Sequence, residues 1–382
     1  MNTLNFFSKN KLLTFFFLGI FFVYIPVTIL VSMGVIEALP FGWMFLSCTI
    51  SLPFLLLIKN DIKGFTFGKP IVFFNFFLLI FILVLLFNYS LSNSKIIFEH
   101  LSNIIVLVTL YILASKINFS DNTFIKTSIF FFLLSSIFIL YNRNFIVNFW
   151  DYINVSLNYQ GIGMCYFILS LPIFMLEKKI YKILCFILCL SCLNIIGART
   201  EMISFLFIVI IFEIFSRQKN IRVILLFLFS IIFLIFMIFG KDILNIIGLE
   251  KFSVLFNIEK DESWIKRNEF LNDGLKTIRE NIIFGKYGSY KDGAYIHNIL
   301  SSWVDLGFFG FLVLILSLVY VLIDSFKIIF KEKSTKFEIL FLGFAIAIFI
   351  ISVFSKQYTY PLIGFCIGLY SRLSSKRFKI VY

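Results

Sequence analysis

The sequence predicts an all-α, polytopic integral membrane protein with about twelve transmembrane helices and one large loop outside the membrane. Of its 382 residues, 60% are hydrophobic and only 14% are charged, and the mean hydropathy is +0.99. A soluble chain of this length needs a more polar exterior. The apolar residues form continuous runs of about 16 to 21 residues, whereas the strands of a membrane barrel alternate apolar and polar side chains. A helical bundle in the bilayer is therefore the predicted fold class.

The apolar runs also predict where each span lies. The first run is not followed by a small-residue cleavage site, so we expect it to remain in the protein as a span. Spans are predicted at about 12–32, 40–58, 71–89, 100–115, 125–141, 160–176, 180–196, 201–216, 221–240, 306–323, 337–354 and 358–372.

Basic residues predict the orientation of these helices, because cytoplasmic loops are enriched in Lys and Arg. With the N terminus placed in the cytoplasm, basic residues occur in every predicted inner segment. The short outer loops hold only Lys95, Arg143, Arg199 and Lys356. Both termini are then cytoplasmic. The chain divides into spans one to nine (1–240), a large periplasmic loop (241–303), and spans ten to twelve with a basic tail (304–382).

Several function classes are poorly supported by the composition. The net charge of +13 does not indicate a nucleic-acid partner, because the basic residues lie in loops where membrane topology favours them. The six cysteines lie inside apolar runs, which favours packing over disulfides or metal binding. The chain contains no zinc-protease, P-loop or serine-hydrolase motif. Neither a metal ion nor a cofactor is expected.

The large loop carries an amphipathic helix, predicted from Trp264 to Ile282 by apolar residues at helical spacing. The apolar stripe consists of Trp264, Leu271, Leu275, Ile278 and Ile282. Arg267 and Arg279 lie at the edges of this stripe, so we expect them to point along a surface and not freely into water. Three glycines, at 285, 288 and 293, then predict turns before the next span.

The candidate site residues lie in this loop and in one outer turn. His297 is one of only two histidines, and it lies beside Asn298 at the outer mouth of the tenth span, where it is suited to proton transfer or to a capping role. His100 is expected to be structural. Arg199 lies in the turn between spans seven and eight, either to bind an anion or to pair with Glu201 at the interface. The loop arginines either bind phosphate or form surface ion pairs.

The segment 267–310 resembles the signature region of the O-antigen polymerase and O-antigen ligase superfamily. In that family an arginine opens a loop helix, a glycine turn follows, and a His-Asn pair precedes an acidic residue and two glycines. Those positions are matched here by Arg267, Gly285, Gly288, His297, Asn298, Asp305, Gly307 and Gly310. The turn 197–200 is similar to the family's small-residue turn with an arginine, which corresponds to Arg199. The acidic position is more often glutamate in the family, so Asp305 is a departure.

The resemblance implies a GT-C-like, metal-independent glycosyltransferase of the bacterial inner membrane. Its substrates would be glycans linked to undecaprenyl pyrophosphate, and a chain-length regulator would be a possible partner. His297 and Arg267 would be catalytic. The substrate-binding residues would be Arg199, Arg279, Asn298 and Asp305. We expect an O-antigen or capsular polysaccharide polymerase. The alternatives are a ligase that transfers the glycan to the lipid A core and a flippase for lipid-linked oligosaccharides.

Overall fold

The computed structural model describes residues 2–39, 42–56, 68–89, 94–149, 157–216, 262–290, 294–330 and 334–381, and no β-strand occurs within these ranges. Among the described residues, seven helices are long and apolar enough to cross a membrane. The predicted all-helical, multi-pass membrane architecture is confirmed at this level.

The α-helices, in chain order, are α1 (Asn2–Ser32), α2 (Gly42–Leu56), α3 (Lys69–Phe87), α4 (Ser94–Lys116), α5 (Asn122–Tyr141), α6 (Arg143–Asn148), α7 (Tyr159–Ser170), α8 (Lys179–Ile196), α9 (Arg199–Phe215), α10 (Glu262–Glu280), α11 (Ser301–Ile329), α12 (Lys336–Phe354) and α13 (Pro361–Val381). A 3₁₀ helix (Leu171–Met175) extends α7.

The seven long apolar helices are α3, α4, α5, α8, α11, α12 and the Lys11–Ser32 part of α1. The predicted spans at 40–58 and 201–216 appear as the shorter helices α2 and α9, of 15 and 17 residues. The span at 160–176 consists of α7 and its 3₁₀ extension. The predicted span 221–240 and the loop residues 241–261 lie outside the described residues. A count of twelve spans and the three-part division of the chain therefore stay predictions.

Close helix packing in the bundle depends on small residues, as is common where helices pack in lipid. In α13, Gly364 and Gly368 are four residues apart and face α4. A Cβ atom at Gly364 would overlap the carbonyl oxygen of Leu107, and one at Gly368 would overlap that of Tyr111. The two backbones therefore approach each other directly, and larger side chains at these glycines would separate the helices.

Four segments meet at one end of the bundle, which we call the loop end: residues 157–161, 197–201, 294–300 and 355–361. Lys356 Nζ donates to Gln160 Oε1 at 2.9 Å and lies 3.2 Å from Glu201 Oε1. The Ile299 N–H donates to the Ser352 carbonyl at 2.8 Å. These contacts join residues that are far apart in the chain, so the connections between several helices lie side by side.

The start of α11 is built around a break at Gly307, which has φ 73° and ψ −175°. Residues other than glycine rarely adopt these backbone angles. The break brings the Phe308 N–H to the carbonyl oxygens of Ile282 and Ile283, each at 3.1 Å. The Lys286 N–H donates to the Val304 carbonyl at 2.6 Å. The turn that follows α10 is thus bonded to the backbone of α11.

Replacement of Gly307 by alanine is expected to destabilise the protein by about 2 kcal/mol or more, because the new Cβ would meet the Ile283 carbonyl in an unfavourable φ. Thermal unfolding of the detergent-solubilised protein measures this loss. The control is Gly19→Ala in α1, where no atom lies within 4 Å of the added Cβ, and which should be neutral or stabilising by up to about 1 kcal/mol. Equal melting temperatures for the two variants would contradict the proposed role of the break.

Candidate functional site

A cavity of about 340 Å³ opens at the loop end of the bundle. Its size falls within the usual range for sites that bind small molecules. The polar residues that line it come from α4, from the start of α7, from the segment before α11 and from the connection between α12 and α13. They are Glu99, Ser102, Asn103, Asn158, Gln160, His297, Ser355, Lys356, Gln357 and Thr359. Aromatic rings of Tyr24, Tyr295 and Tyr360 complete the wall.

His297 lies in the wall of this cavity and is half-buried. Its ring centroid is 4.8 Å from that of Tyr295 and 6.3 Å from that of Phe270 in α10. Burial, together with the positive charges of Arg267 and Lys356, lowers the pKa of His297 from 6.5 to about 4. The imidazole is therefore neutral at pH 7 and has a lone pair available to accept a proton.

Arg267 reaches the same region from the first half of α10. It is half-buried, and its charge acts on both His297 and Tyr295. The helix is held there by Ile278, which packs against Ile296 and Val304. The predicted amphipathic helix is present, within two residues at each end, and it brings Arg267 close to His297.

Gly274 sets how closely α10 approaches the segment before α11. A Cβ atom at this position would overlap the side chain of Ile296, which is the residue next to His297. Glycine in a helix interior is unfavourable by roughly 0.5–1 kcal/mol relative to alanine. Here it allows α10 to lie against the segment that carries the histidine.

Asn298 has a structural role at the start of α11. Its side-chain oxygen accepts a hydrogen bond from the Leu300 N–H at 2.9 Å, and its carbonyl accepts one from the Ser301 hydroxyl at 2.7 Å. These bonds form a turn that starts α11. Asn298 therefore fixes the direction of the chain directly after His297, while its predicted role in substrate binding stays a prediction.

Lys356 and Glu201 form a buried ion pair at the cavity wall. Lys356 is 8% exposed and Glu201 is 1% exposed. The lysine also donates to Gln160 and lies 5.5 Å from the centre of the Tyr360 ring. Removing one partner of such a pair leaves a buried charge and is strongly destabilising. The pair ties the connection after α12 to α9 and places a positive charge near His297.

Sequence reasoning missed this pair. The sequence suggests Arg199 as the partner of Glu201 and shows Lys356 only as a charge in a short outer loop. The structure pairs Glu201 with Lys356, which lies 155 positions later in the chain. The available signal was that an ionisable residue next to an apolar span rarely lacks a partner.

Arg199 is the first residue of α9 and is half-buried. The next residue, Thr200, lies within hydrogen-bonding distance of Ser355 in the cavity wall, with 3.1 Å between the two hydroxyl oxygens. The turn that carries Arg199 is therefore next to the cavity, although Arg199 itself does not line it. Its predicted contact with a substrate phosphate stays a prediction.

Arg279 lies in the last turn of α10 and is exposed. Twelve residues separate it from Arg267, which corresponds to about 18 Å along a helix. The structure therefore does not bring Arg279 together with Arg267 and His297.

Asp305 is 1% exposed and accepts three hydrogen bonds from two separate parts of the chain. The Gly288 N–H donates to Oδ1 at 3.0 Å, and the hydroxyls of Tyr290 and Tyr358 donate to Oδ2 at 2.9 and 3.1 Å. A buried carboxylate is unfavourable unless its oxygens are bonded in this way. Asp305 thus joins the turn after α10 and the connection after α12 to α11.

His100 extends this network into α4. It is buried, its Nδ1 lies 2.8 Å from the Tyr287 hydroxyl, and its Nε2 lies 3.4 Å from that of Tyr290. A proton on Nε2 fits a chain in which Tyr287 donates to His100, His100 donates to Tyr290, and Tyr290 donates to Asp305. These interactions fit the structural role that the sequence predicted for His100.

Within the described ranges, no group of three or more His, Cys, Asp or Glu side chains is arranged to hold a metal ion. The groups that face the cavity are instead an imidazole, amides, hydroxyls and charged side chains, which suit hydrogen bonding, proton transfer and the binding of anions.

Comparison with known proteins leaves the chain unassigned, since no protein-family model and no curated protein sequence matches it.

The lowered pKa of His297 can be measured directly, because the chain has only two histidines. With ¹⁵N-histidine labelling, NMR should show His297 titrating with a pKa of about 4 and not 6.5. Arg267→Gln should raise this pKa, because one nearby positive charge is removed. Arg279→Gln, on the same helix but about 18 Å away along its axis, should leave it unchanged. Equal shifts from both substitutions would show that Arg267 does not face His297.

The network around Asp305 predicts a specific loss of order when the carboxylate is replaced. In Asp305→Asn, an amide N–H₂ would face the donors that now bond to the carboxylate, at a cost of about 1–3 kcal/mol. Faster hydrogen exchange in residues 281–290 should report the loss, together with a lower melting temperature. The control is Asp273→Asn on the exposed side of α10, expected to stay within about 0.5 kcal/mol. Unchanged exchange in Asp305→Asn would contradict this role.

Proposed function

We propose that the protein is a glycan polymerase of the O-antigen polymerase and ligase type. It joins repeat units linked to undecaprenyl pyrophosphate at the outer face of the bacterial inner membrane. The observation that carries the proposal is the arrangement of a neutral His297 in a polar cavity, with Arg267 and Lys356 close enough to lower its pKa. A base can deprotonate the acceptor hydroxyl, and fixed positive charges beside it can stabilise an anionic leaving group as it departs.

In the proposed reaction, an acceptor sugar hydroxyl attacks the anomeric carbon of the donor. The new carbon–oxygen bond forms as the bond to the pyrophosphate oxygen breaks. His297 takes the hydroxyl proton, and the lipid pyrophosphate leaves with the bonding electron pair. Arg267, with Arg199 from the neighbouring turn, stabilises the charge on that leaving group. Such contributions are typically worth about 10²–10⁴ in rate for the base and 10²–10³ for a charge-stabilising group.

The low pKa of His297 fits this sequence of events. A pKa of about 4 makes the free imidazole a weak base, because burial disfavours its charged form and protonation would place a third positive charge near Arg267 and Lys356. A bound pyrophosphate would offset those charges and raise the pKa of His297 toward its usual value. The histidine then becomes an effective base once the donor is bound. Transfer of the glycan to the acceptor is therefore favoured only when both substrates are present.

The rest of the cavity suits a carbohydrate. Asn103, Asn158 and Gln357 supply amides, which both donate and accept hydrogen bonds. In the described part of the chain, the Thr359 side-chain hydroxyl is buried at the cavity without a hydrogen-bond partner. A buried hydroxyl of this kind is unfavourable unless something bonds to it, and a sugar hydroxyl would do so.

The position of the cavity also suits a lipid-linked substrate. It lies at one end of the bundle, and the described basic residues Lys69, Lys179, Lys182, Lys327 and Lys336 lie at helix ends away from it. A lysine-rich end is expected to face the cytoplasm. The loop end would then face the periplasm, with both termini in the cytoplasm.

Purified protein in nanodiscs, supplied with a lipid-linked repeat unit, should produce a ladder of longer lipid-linked glycans. His297→Gln and Arg267→Gln are expected to reduce the rate by about 10²–10⁴ and 10²–10³ respectively while leaving the protein folded. The matched control is Lys266→Gln, an exposed neighbour of Arg267 on α10, which should retain activity.

The products distinguish this proposal from its alternatives. Glycan transferred only to lipid A core would indicate a ligase. Movement of the lipid-linked unit across a sealed bilayer without new glycosidic bonds would indicate a flippase. Wild-type levels of polymer from both the His297 and the Arg267 variants would overturn the assigned roles.

A further inference from the structure

The turn directly after α10 exposes three consecutive apolar side chains. Ile282 and Ile283 are each 55% exposed, and Phe284 is 85% exposed. The exposed residues of α10 just before them, such as Asp273, Lys276 and Glu280, are polar or charged. A cluster of large apolar side chains at a turn is unfavourable in water and indicates a surface that another apolar phase covers. We call residues 282–284 the apolar turn.

The hydrogen bonds of the apolar turn fix its depth relative to α11. The Phe308 N–H donates to the carbonyls of Ile282 and Ile283. From Phe308 to the end of α11 at Ile329 the helix is about 33 Å long, close to the thickness of the hydrocarbon core of a bilayer. The exposed side chains of Phe308 and Phe309 begin this apolar surface. The apolar turn therefore lies beside the first residues of α11 that would face lipid.

Two further features beside the apolar turn are typical of a membrane interface. The indole N–H of Trp303 donates to the Ile282 carbonyl at 2.8 Å, while its ring stacks on Phe311 at 4.9 Å. Tryptophan is enriched at this depth because it has an apolar body and one polar atom. Arg279 and Lys286, both exposed, flank the turn in sequence and are suited to contact lipid phosphates.

We infer that the apolar turn is a membrane anchor, with Phe284 inserted at the level of the lipid headgroups and upper acyl chains and with Arg279 and Lys286 beside phospholipid phosphates. The occupant of this surface is the bilayer, because the apolar turn continues the lipid-facing surface of α11. The anchor fixes the C-terminal end of α10, while the N-terminal half of the same helix carries Arg267. This inference concerns a lipid contact and does not rest on the proposed reaction.

A nitroxide at Phe284→Cys in the full-length protein tests the anchor. The six native cysteines are buried apart from Cys185, so a Cys185→Ser background limits unwanted labelling. In nanodiscs that contain anionic phospholipid, power-saturation EPR should show the label at 284 colliding several-fold more with oxygen, relative to water-soluble nickel chelate, than a label at Glu280→Cys. Glu280 is exposed in the last turn of α10 and is the matched water-facing control.

Three outcomes would overturn the inference. Strong collision with nickel chelate at 284 would place the turn in water. Low access of both reagents would place it in a protein contact, such as one with a second copy of this chain. If nanodiscs without anionic lipid, or the Arg279→Gln/Lys286→Gln double substitution, leave the label equally deep, the two cations have no part in the anchor.

Discussion

The arrangement of the loop end depends on one buried carboxylate. Asp305 receives hydrogen bonds from the turn after α10 and from the connection after α12, and it lies in the first turns of α11. Three segments that are separate in sequence therefore share one acceptor group. Because an unsatisfied buried carboxylate is far less stable than a bonded one, the segments are held together or lost together. This constraint fixes the position of the segment that carries His297, which lies in the chain between the turn and α11.

The positive charges around His297 follow from this arrangement of segments. Lys356 follows α12 by two residues and is held by Glu201 and Gln160, while Arg267 comes from α10. Two positively charged side chains from different segments thus lower the pKa of the same imidazole. A guanidinium stays charged at any pH at which the protein is folded, and the lysine is ion-paired with the buried carboxylate of Glu201. The low pKa of His297 is therefore a consequence of the fold and not of the histidine alone.

Part of this site can be predicted from the sequence, because α10 and α11 each follow from a pattern of neighbouring residues in the chain. A stripe of apolar residues predicted α10, and the return of apolar character after residue 297 predicted α11. Helical periodicity gives an angle around an axis, so it placed Arg267 and Arg279 on the edges of one stripe. It does not show which end of the helix meets the cavity, and Arg279 lies about 18 Å away along the axis. The contacts made by Lys356, Tyr358 and His100 are long-range, and no local pattern in the chain indicates them.

Long-range contacts also explain the four glycines that match the family's signature region. Gly285 and Gly307 both have positive φ, and each would place a Cβ against the backbone of the other's segment. Gly288 also has positive φ, and its N–H is the one that bonds to Asp305. Gly310 lies on α11, where a Cβ would overlap the side chain of Leu306 one turn earlier. The glycine pattern is therefore required by a backbone-to-backbone contact between the turn and a broken helix. These glycines thus serve here to set the position of α10, and with it the distance between Arg267 and His297.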